Sequence, residues 1–164
     1  PGAGAIGRAR RANIKVAQVK REDFASKQNF EAHIIQYLKE EKIDLIVLAG
    51  FMHILGADIL QEYKDRILNI HPALLPSFKG AHGIKDAFDY GVKVTGVTVH
   101  FVDEKMDHGP IILQAPVKIE KADSLESLES KIHKIEHKLY PEAVSLFVEG
   151  KLRIEGRKVK IPIP

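Results

Sequence analysis

The run Leu45-Ile46-Val47-Leu48-Ala49-Gly50 decides the fold class that we predict for this chain. Its five apolar residues leave no polar face, and the run stops at a glycine. Strands that are apolar on both sides are typical of parallel sheets covered by helices, whereas strands of half-exposed antiparallel sheets alternate polar and apolar residues. We therefore expect a central parallel strand here.

Helical and strand-like patterns alternate on both sides of this run. Upstream we predict a small basic helix at 6–12, a short strand at 13–19, and an amphipathic helix that Ser26 or Asn29 caps. Downstream we predict a helix at 57–63, a strand at 66–70, a loop at 72–83, a helix at 83–90, strands at 92–102 and 111–119, a helix from Ser124 that Pro141 bends or restarts, and a hairpin at 152–163. The alternation predicts an α/β fold with a Rossmann-like, mostly parallel sheet and helices on both faces.

Length and charge limit the classes of partner. The chain has 164 residues and is 45% hydrophobic, which suits one globular domain. Its net charge of +3 comes from basic residues spread along the sequence, so we expect no nucleic acid partner. This small excess of positive charge either favours anionic small substrates or reflects ordinary surface lysines. No apolar run approaches membrane-spanning length, so we expect no membrane contact.

Several kinds of chemistry lack the residues that they need. The chain has no cysteine, which excludes disulfides and thiolate chemistry and agrees with a cytoplasmic location. His133 and His137 lie four apart, but Glu136 is misplaced for the H-E-x-x-H zinc motif. We expect no metal. No glycine-rich nucleotide loop follows a strand, and no G-x-S-x-G motif supports a serine nucleophile.

Polar groups suited to catalysis close two predicted strands. Asn69 and His71 lie two apart in Asn69-Ile70-His71-Pro72, so both side chains project from one face of an extended chain. In α/β enzymes the sites lie at such strand ends. Asp107, ahead of Gly109, supplies a carboxylate that can orient the histidine or hold a proton-carrying water. We predict Asn69, His71 and Asp107 as catalytic residues.

Two further features have two interpretations each. His100 shares a strand face with Thr98, and it either supports the catalytic groups or is a hydrogen-bonded core residue. Gly50-Phe51-Met52 ends the apolar strand, and its backbone amides either contact a flat ring system or only form a turn.

Four blocks carry a family resemblance. These are Leu48-Ala49-Gly50-Phe51-Met52, Leu68-Asn69-Ile70-His71-Pro72-Ala73-Leu74-Leu75-Pro76, Thr95-Gly96-Val97-Thr98-Val99-His100-Phe101-Val102 and Met106-Asp107-His108-Gly109-Pro110-Ile111-Ile112. In order and content they resemble the phosphoribosylglycinamide formyltransferases, folate-dependent enzymes of purine synthesis. The similarity extends from about Gly7 to the C-terminus.

The resemblance implies a formyltransferase fold, 10-formyltetrahydrofolate as cosubstrate and no metal. The family's catalytic residues fall on Asn69, His71 and Asp107. The implied folate contacts are Met52, His53, Ile54, Leu55, Val102, Asp103 and Glu104. The expected substrate contacts are Gly50, Met52, Asn69 and Glu136.

The activity implied is transfer of a formyl group from 10-formyltetrahydrofolate to the amine of glycinamide ribonucleotide in de novo purine biosynthesis. Asn69 and His71 would stabilise a tetrahedral oxyanion, and Asp107 would assist proton transfer. The alternatives are formyltetrahydrofolate deformylase and a non-catalytic folate-binding fragment. A methionyl-tRNA formyltransferase is less favoured because it needs a second domain for RNA.

The resemblance also bears on completeness and assembly. The family begins with a strand and a phosphate-binding loop for which the sequence shows no counterpart. We expect residues 1–164 to form a single formyltransferase domain that is N-terminally incomplete relative to the family. Its partners would be small molecules, and the chain itself a monomer or weak homodimer.

Overall fold

A computed structural model describes residues 4–51 and 53–162 of the chain. Met52, which we predict to contact folate and substrate, lies outside the described residues. The chain divides into two compact units, one ending at Glu41 and the other beginning at Lys42. Within the described part, no helix combines the length and apolar character that crossing a bilayer requires.

The first unit is helical. It contains α1 (Gly4–Arg11), a single 3-10 turn (Arg21–Asp23) and α2 (Lys27–Glu40). The predicted cap is confirmed, since the Ser26 hydroxyl accepts a 3.0 Å hydrogen bond from the Asn29 N–H. The strand predicted at 13–19 is wrong. These residues pair with no other strand, and Ile14 is 62% exposed. An alternating pattern of polar and apolar residues does not by itself supply a neighbouring strand to hydrogen-bond with.

In its described residues, the second unit contains a six-stranded sheet and three helices. The strands are β1 (Ile46–Leu48), β2 (Ile67–His71), β3 (Val94–Phe101), β4 (Ile111–Lys118), β5 (Arg153–Glu155) and β6 (Lys158–Lys160). The helices are α3 (Ala57–Glu62), α4 (Gly83–Tyr90) and α5 (Leu125–Val148). The strands lie in the order β1-β2-β3-β4-β6-β5. The predicted α/β class is confirmed.

Pairing within the sheet is mixed. β1 pairs parallel with β2, and β4 pairs parallel with β6. β3 runs antiparallel to both of its neighbours, and β5 runs antiparallel to β6. Strands joined by a short loop, such as β3 and β4, must run antiparallel because a parallel return needs a long crossover.

The apolar run that predicts the fold class forms β1, but at the edge of the described sheet and not at its centre. Val47 is 44% exposed. This corrects the expectation of a central strand. An apolar pattern reports how the two faces of a strand are covered, and it carries no count of the strands beside it.

The core lies between β3, β4 and α5. Val97, Val99 and Phe101 project from one face of β3 and pack with Leu128 and Ile132 of α5. Thr98 and His100 occupy the opposite face, as the alternation predicts. The helix α5 continues through Pro141 without ending there, so of the two expected effects of the proline, a bend or a restart, the restart is wrong. Buried side chains before and after the proline, Leu139 and Ala143, hold both halves against the core.

Candidate active site

A cavity of about 800 Å³ opens at the carboxyl ends of β1 and β2. This volume lies within the range of small-molecule sites, roughly 300–1,000 Å³. Its walls come from the ends of both strands, the loop after β3 and one side of α5. Every described residue that we predict for the site lines it: Gly50, His53, Ile54, Leu55, Asn69, His71, His100, Val102, Asp103, Glu104, Asp107 and Glu136.

Strand pairing places Asn69 beside His100. The two residues are register partners across β2 and β3, and Asn69 Nδ2 lies 3.4 Å from His100 Nε2. The Phe101 carbonyl can only accept, so His100 Nδ1–H donates to it at 2.7 Å. His100 Nε2 then faces both the Asn69 amide and, at 3.8 Å, the Asp107 carboxylate. His100 is therefore a buried residue that contacts and orients a predicted catalytic group.

His71 is held between two acceptors. Its Nε2–H donates to the Phe78 carbonyl at 2.7 Å, and its Nδ1 lies 3.4 Å from Asp107 Oδ2. The side chain is almost fully buried. Both neighbours are satisfied together only when both ring nitrogens carry a proton. The arrangement thus places His71 Nδ1 next to the Asp107 carboxylate.

Asp107 joins the two histidines. Its Oδ2 accepts a 2.8 Å hydrogen bond from the Gly80 N–H, and its Oδ1 lies 3.8 Å from His100 Nε2. Burial of the carboxyl acts to raise its pKa, but His100, the Gly80 N–H and His71 outweigh burial and hold the pKa of Asp107 below its ordinary value. Asp107 is therefore a charged acceptor at neutral pH.

Backbone geometry at Asp107 is unusual. Its φ of +48° lies in the left-handed region, which aspartate tolerates better than most residues but which still costs energy. Nearby, a Cβ on Gly109 would lie 1.9 Å from the Phe101 carbonyl oxygen, so only glycine fits there. The loop after β3 is consequently closed tightly at its base while it presents Asp107 to the cavity.

Sequence reasoning missed the main-chain groups of the loop at 72–83. The Phe78 carbonyl and the Gly80 N–H contact two of the predicted catalytic side chains, but backbone groups have no residue-type signal. Thr98 anchors the start of this loop, since its Oγ1 accepts from the Leu75 N–H and donates to the Ala73 carbonyl. The polar face of β3 is the only sequence sign of that anchor.

Tyr140 was also missed. Its hydroxyl lies 2.6 Å from the Leu48 carbonyl and 3.0 Å from the Leu68 carbonyl, so it shares its proton between β1 and β2. Burial raises the pKa of Tyr140. The contact fixes α5 against the strand ends that frame the cavity. A tyrosine one turn after Glu136 on an amphipathic helix is the signal that sequence reasoning left unused.

Glu136 enters the cavity wall from α5. Its Oε2 accepts a 2.8 Å hydrogen bond from His133 Nδ1. The pair places a carboxylate at the side of the cavity formed by α5, in a wall that also includes His137. Within residues 4–51 and 53–162, no cluster of three or more His, Cys, Asp or Glu is arranged to hold a metal ion.

The assembled groups suit reactions that pass through a tetrahedral oxyanion. An amide donor, a buried imidazole and a carboxylate converge at one end of a largely apolar cavity. Donors aimed at a developing oxyanion stabilise the transition state, and a carboxylate next to them can direct proton movement.

Comparison with known proteins identifies the family of the chain. A model of the formyl transferase family matches residues 1–144. The chain is 45% identical over 144 residues to phosphoribosylglycinamide formyltransferase of Bacillus subtilis, covering 88% of this chain and 74% of that protein. The crystal structure of glycinamide ribonucleotide transformylase 1 from Symbiobacterium toebii superposes with a TM-score of 0.96 at 43% identity, covering 99% of this chain and 77% of that one.

A more distant structure is a formyltetrahydrofolate deformylase from Pseudomonas syringae. It superposes with a TM-score of 0.88 at 28% identity, and this chain spans 52% of its length. The resemblance inferred from the four sequence blocks is thereby confirmed, with the transferase relatives well above the deformylase in identity. On its family match, sequence identity and fold, the chain belongs to the formyl transferase family of enzymes.

Proposed function

We propose that this chain transfers a formyl group from 10-formyltetrahydrofolate to the amine of glycinamide ribonucleotide, a step of de novo purine biosynthesis. We also propose that residues 1–164 act as one formyltransferase domain. The observation that carries the proposal is the convergence of Asn69, His71, His100 and Asp107 at one end of the cavity.

The proposed reaction is a direct transfer. The amine nitrogen attacks the formyl carbon, and the carbonyl electrons move to oxygen to give a tetrahedral oxyanion. Collapse of the oxyanion breaks the bond from carbon to the folate nitrogen. A proton leaves the attacking amine, and one reaches the departing folate nitrogen, so the products are the formylated amine and tetrahydrofolate.

Asn69 is the proposed neutral donor to the oxyanion. One N–H of its amide faces His100 Nε2, and an asparagine amide carries a second N–H. Loss of one such donor costs about 100- to 1,000-fold in rate. His100 keeps the amide oriented through the contact described above.

His71 and Asp107 are the proposed charged pair. An imidazolium beside the oxyanion stabilises negative charge, and Asp107 stabilises the imidazolium in turn. A direct hydrogen bond from His71 to the oxyanion requires the Phe78 carbonyl to release Nε2–H. Asp107, charged at neutral pH, is placed to accept the amine proton directly or through a water.

We propose separate groups of wall residues for the two substrates. His53, Ile54 and Leu55 line the same cavity as Val102, Asp103 and Glu104, and this mixture of apolar side chains and backbone groups suits the flat pteridine of a folate. Glu136, on the α5 wall, is the proposed contact for the amine-bearing substrate because a carboxylate attracts an ammonium group or accepts from an amide.

Formyl transfer is tested by following tetrahydrofolate release from 10-formyltetrahydrofolate with and without glycinamide ribonucleotide. We expect release that requires the amine substrate and a formylated product. Release at the same rate without it would instead identify a deformylase, the activity of the relative at 28% identity. Folate binding without any turnover, unchanged in Asn69→Ala and His71→Ala, would identify a non-catalytic folate-binding protein.

A further inference from the structure

The loop at 102–109 follows β3 and forms one wall of the cavity. Asp107 lies near the end of this loop. The internal structure of the loop depends on Asp103. One carboxylate oxygen accepts a 3.0 Å hydrogen bond from the Lys105 N–H, and the other lies 2.7 Å from His108 Nδ1. Asp103 thus ties the first half of the loop to its end. His108 in turn contacts a residue outside the loop.

Arg157 supplies that outside contact. It lies in the turn between β5 and β6, and its Nη2–H donates to the His108 carbonyl at 2.7 Å. Its Nη1 lies 3.0 Å from His108 Nε2 and 3.3 Å from His108 Nδ1. A donor that lies in the plane of the imidazole, along the lone pair of one ring nitrogen, would be much farther from the other ring nitrogen. The near-equal distances therefore place Nη1 against the face of the imidazole and not along either lone pair, a contact with an aromatic ring that arginine favours.

The turn that carries Arg157 is itself fixed to the sheet. β6 pairs parallel with β4 through Lys158 and Ile111, immediately beyond the loop. Arg157 therefore connects a sheet-anchored turn to His108, and His108 connects to Asp103. Asp107 has separate supports, because the Gly80 N–H and two histidines, none of which contacts Arg157 or Asp103 in the bonds described above, contact its carboxylate.

We propose that Arg157 is a positioning residue for the formyl donor. It acts through His108 and Asp103 to hold the wall at 102–106 in the shape that binds the folate. This inference rests on the proposed function for its ligand. The two supports are separate, so loss of Arg157 should weaken donor binding more than it slows the chemical step at Asp107.

The test compares Arg157→Ala and Arg157→Lys with Arg153→Ala, which removes a cation of the same hairpin whose partner is Glu155. We expect Arg157→Ala to raise the KM for 10-formyltetrahydrofolate about five-fold, in line with loss of a cation–π contact and a hydrogen bond. The kcat and the KM for glycinamide ribonucleotide should change less than about two-fold. Arg157→Lys should not restore the wild-type KM for the donor, because lysine lacks a planar group that reaches both the carbonyl and the ring of His108.

A second readout does not depend on activity. Amide hydrogen exchange of peptides covering 102–109 should be faster in Arg157→Ala and in His108→Ala than in the wild type. The double variant should exchange at the same rate as either single variant, because both residues act in one chain of contacts. Arg153→Ala should exchange like the wild type in this segment. Unchanged exchange in Arg157→Ala, or equal effects of Arg153→Ala and Arg157→Ala on donor KM, would overturn the inference. Absence of formyl transfer by the wild type would instead reject the proposed function and leave the exchange result to decide the contact.

Discussion

At the scale of single residues, the site depends on hydrogen-bond roles that the surroundings dictate. Two carbonyls, those of Phe78 and Phe101, can only accept, and each fixes the proton on one nitrogen of a histidine. The remaining nitrogens then differ. His71 directs its second nitrogen to the Asp107 carboxylate, whereas His100 directs its second nitrogen to the Asn69 amide as well as to that carboxylate. Two histidines in one cavity are thereby given different tasks by their backbone partners.

Replacing Asn69 tests the proposed neutral donor. Asn69→Ala should lower kcat by about 100- to 1,000-fold, because a preorganised donor acts on the oxyanion and not on the ground state. The KM for the formyl donor should change little. Steady-state kinetics measure both constants, and a thermal melt should show a folded protein. A variant with more than half of the wild-type kcat would remove Asn69 from the mechanism.

Replacing Gly109 tests how tightly the loop at 102–109 is closed. An alanine Cβ there meets the Phe101 carbonyl oxygen at 1.9 Å, so strand or loop must shift. We expect Gly109→Ala to lower the free energy of unfolding by about 1–3 kcal/mol, the usual cost of overpacking. Gly4→Ala is the control, since nothing lies within 4 Å of its added Cβ. Equal urea unfolding curves for the two variants would contradict the close approach.

At the scale of elements, α5 forms one wall of the cavity and is fixed at its start and along its length. The Ser124 hydroxyl accepts from the Ser127 N–H, and the Ser127 hydroxyl accepts in return from the Ser124 N–H. Asp123 accepts from the Ser127 hydroxyl and pairs with Lys131 one turn further on. Tyr140 then fixes the later turns to β1 and β2. The position of Glu136 follows from both attachments.

The interactions of Asp123 at the start of α5 should make the free energy of unfolding depend on pH. Lys131, the Glu120 N–H and the Ser127 hydroxyl lower the pKa of Asp123 to about 2 from 3.8. A depressed native pKa contributes stability that is present above the unfolded pKa and is lost as pH falls through the native one. We therefore expect the wild type to exceed Asp123→Asn in unfolding free energy at pH 6, with the gap narrowing between pH 4 and pH 2. Urea titrations at these pH values check this, and parallel curves would contradict it.

Tyr140→Phe tests the attachment of α5 to the strand ends. The change removes the hydroxyl that donates to the Leu48 and Leu68 carbonyls, which costs about 1 kcal/mol of unfolding free energy. Tyr90→Phe is a matched control because Tyr90 is 80% exposed, and it should stay within about 0.5 kcal/mol of the wild type. Thermal and urea unfolding compare them. Similar losses in both variants would show that the hydroxyl of Tyr140 contributes nothing specific.

At the scale of the whole molecule, the sequence predicted what depends on periodicity and on strand ends. The alternation of β3, the stripe of α5 and the pair Asn69 and His71 are local patterns, and the structure has them where expected. Patterns of this kind carry no information on which strand lies at an edge, so β1 was misplaced. They also omit backbone groups and distant contacts, which is why the Gly80 N–H and the pairing of Arg157 with His108 emerged only in three dimensions.

Ligand binding should act on one unit of the chain. The described residues lining the cavity all lie between Leu48 and Pro141, within the unit that begins at Lys42. A folate analogue that binds only the native state, at 100 times its Kd, should stabilise the protein by about 2.7 kcal/mol. Hydrogen exchange should slow at 50–55 and 102–107, with no change in α1. Stabilisation without protection at these segments would place the folate elsewhere, and the cavity between β2 and the loop at 102–109 would lose its proposed ligand.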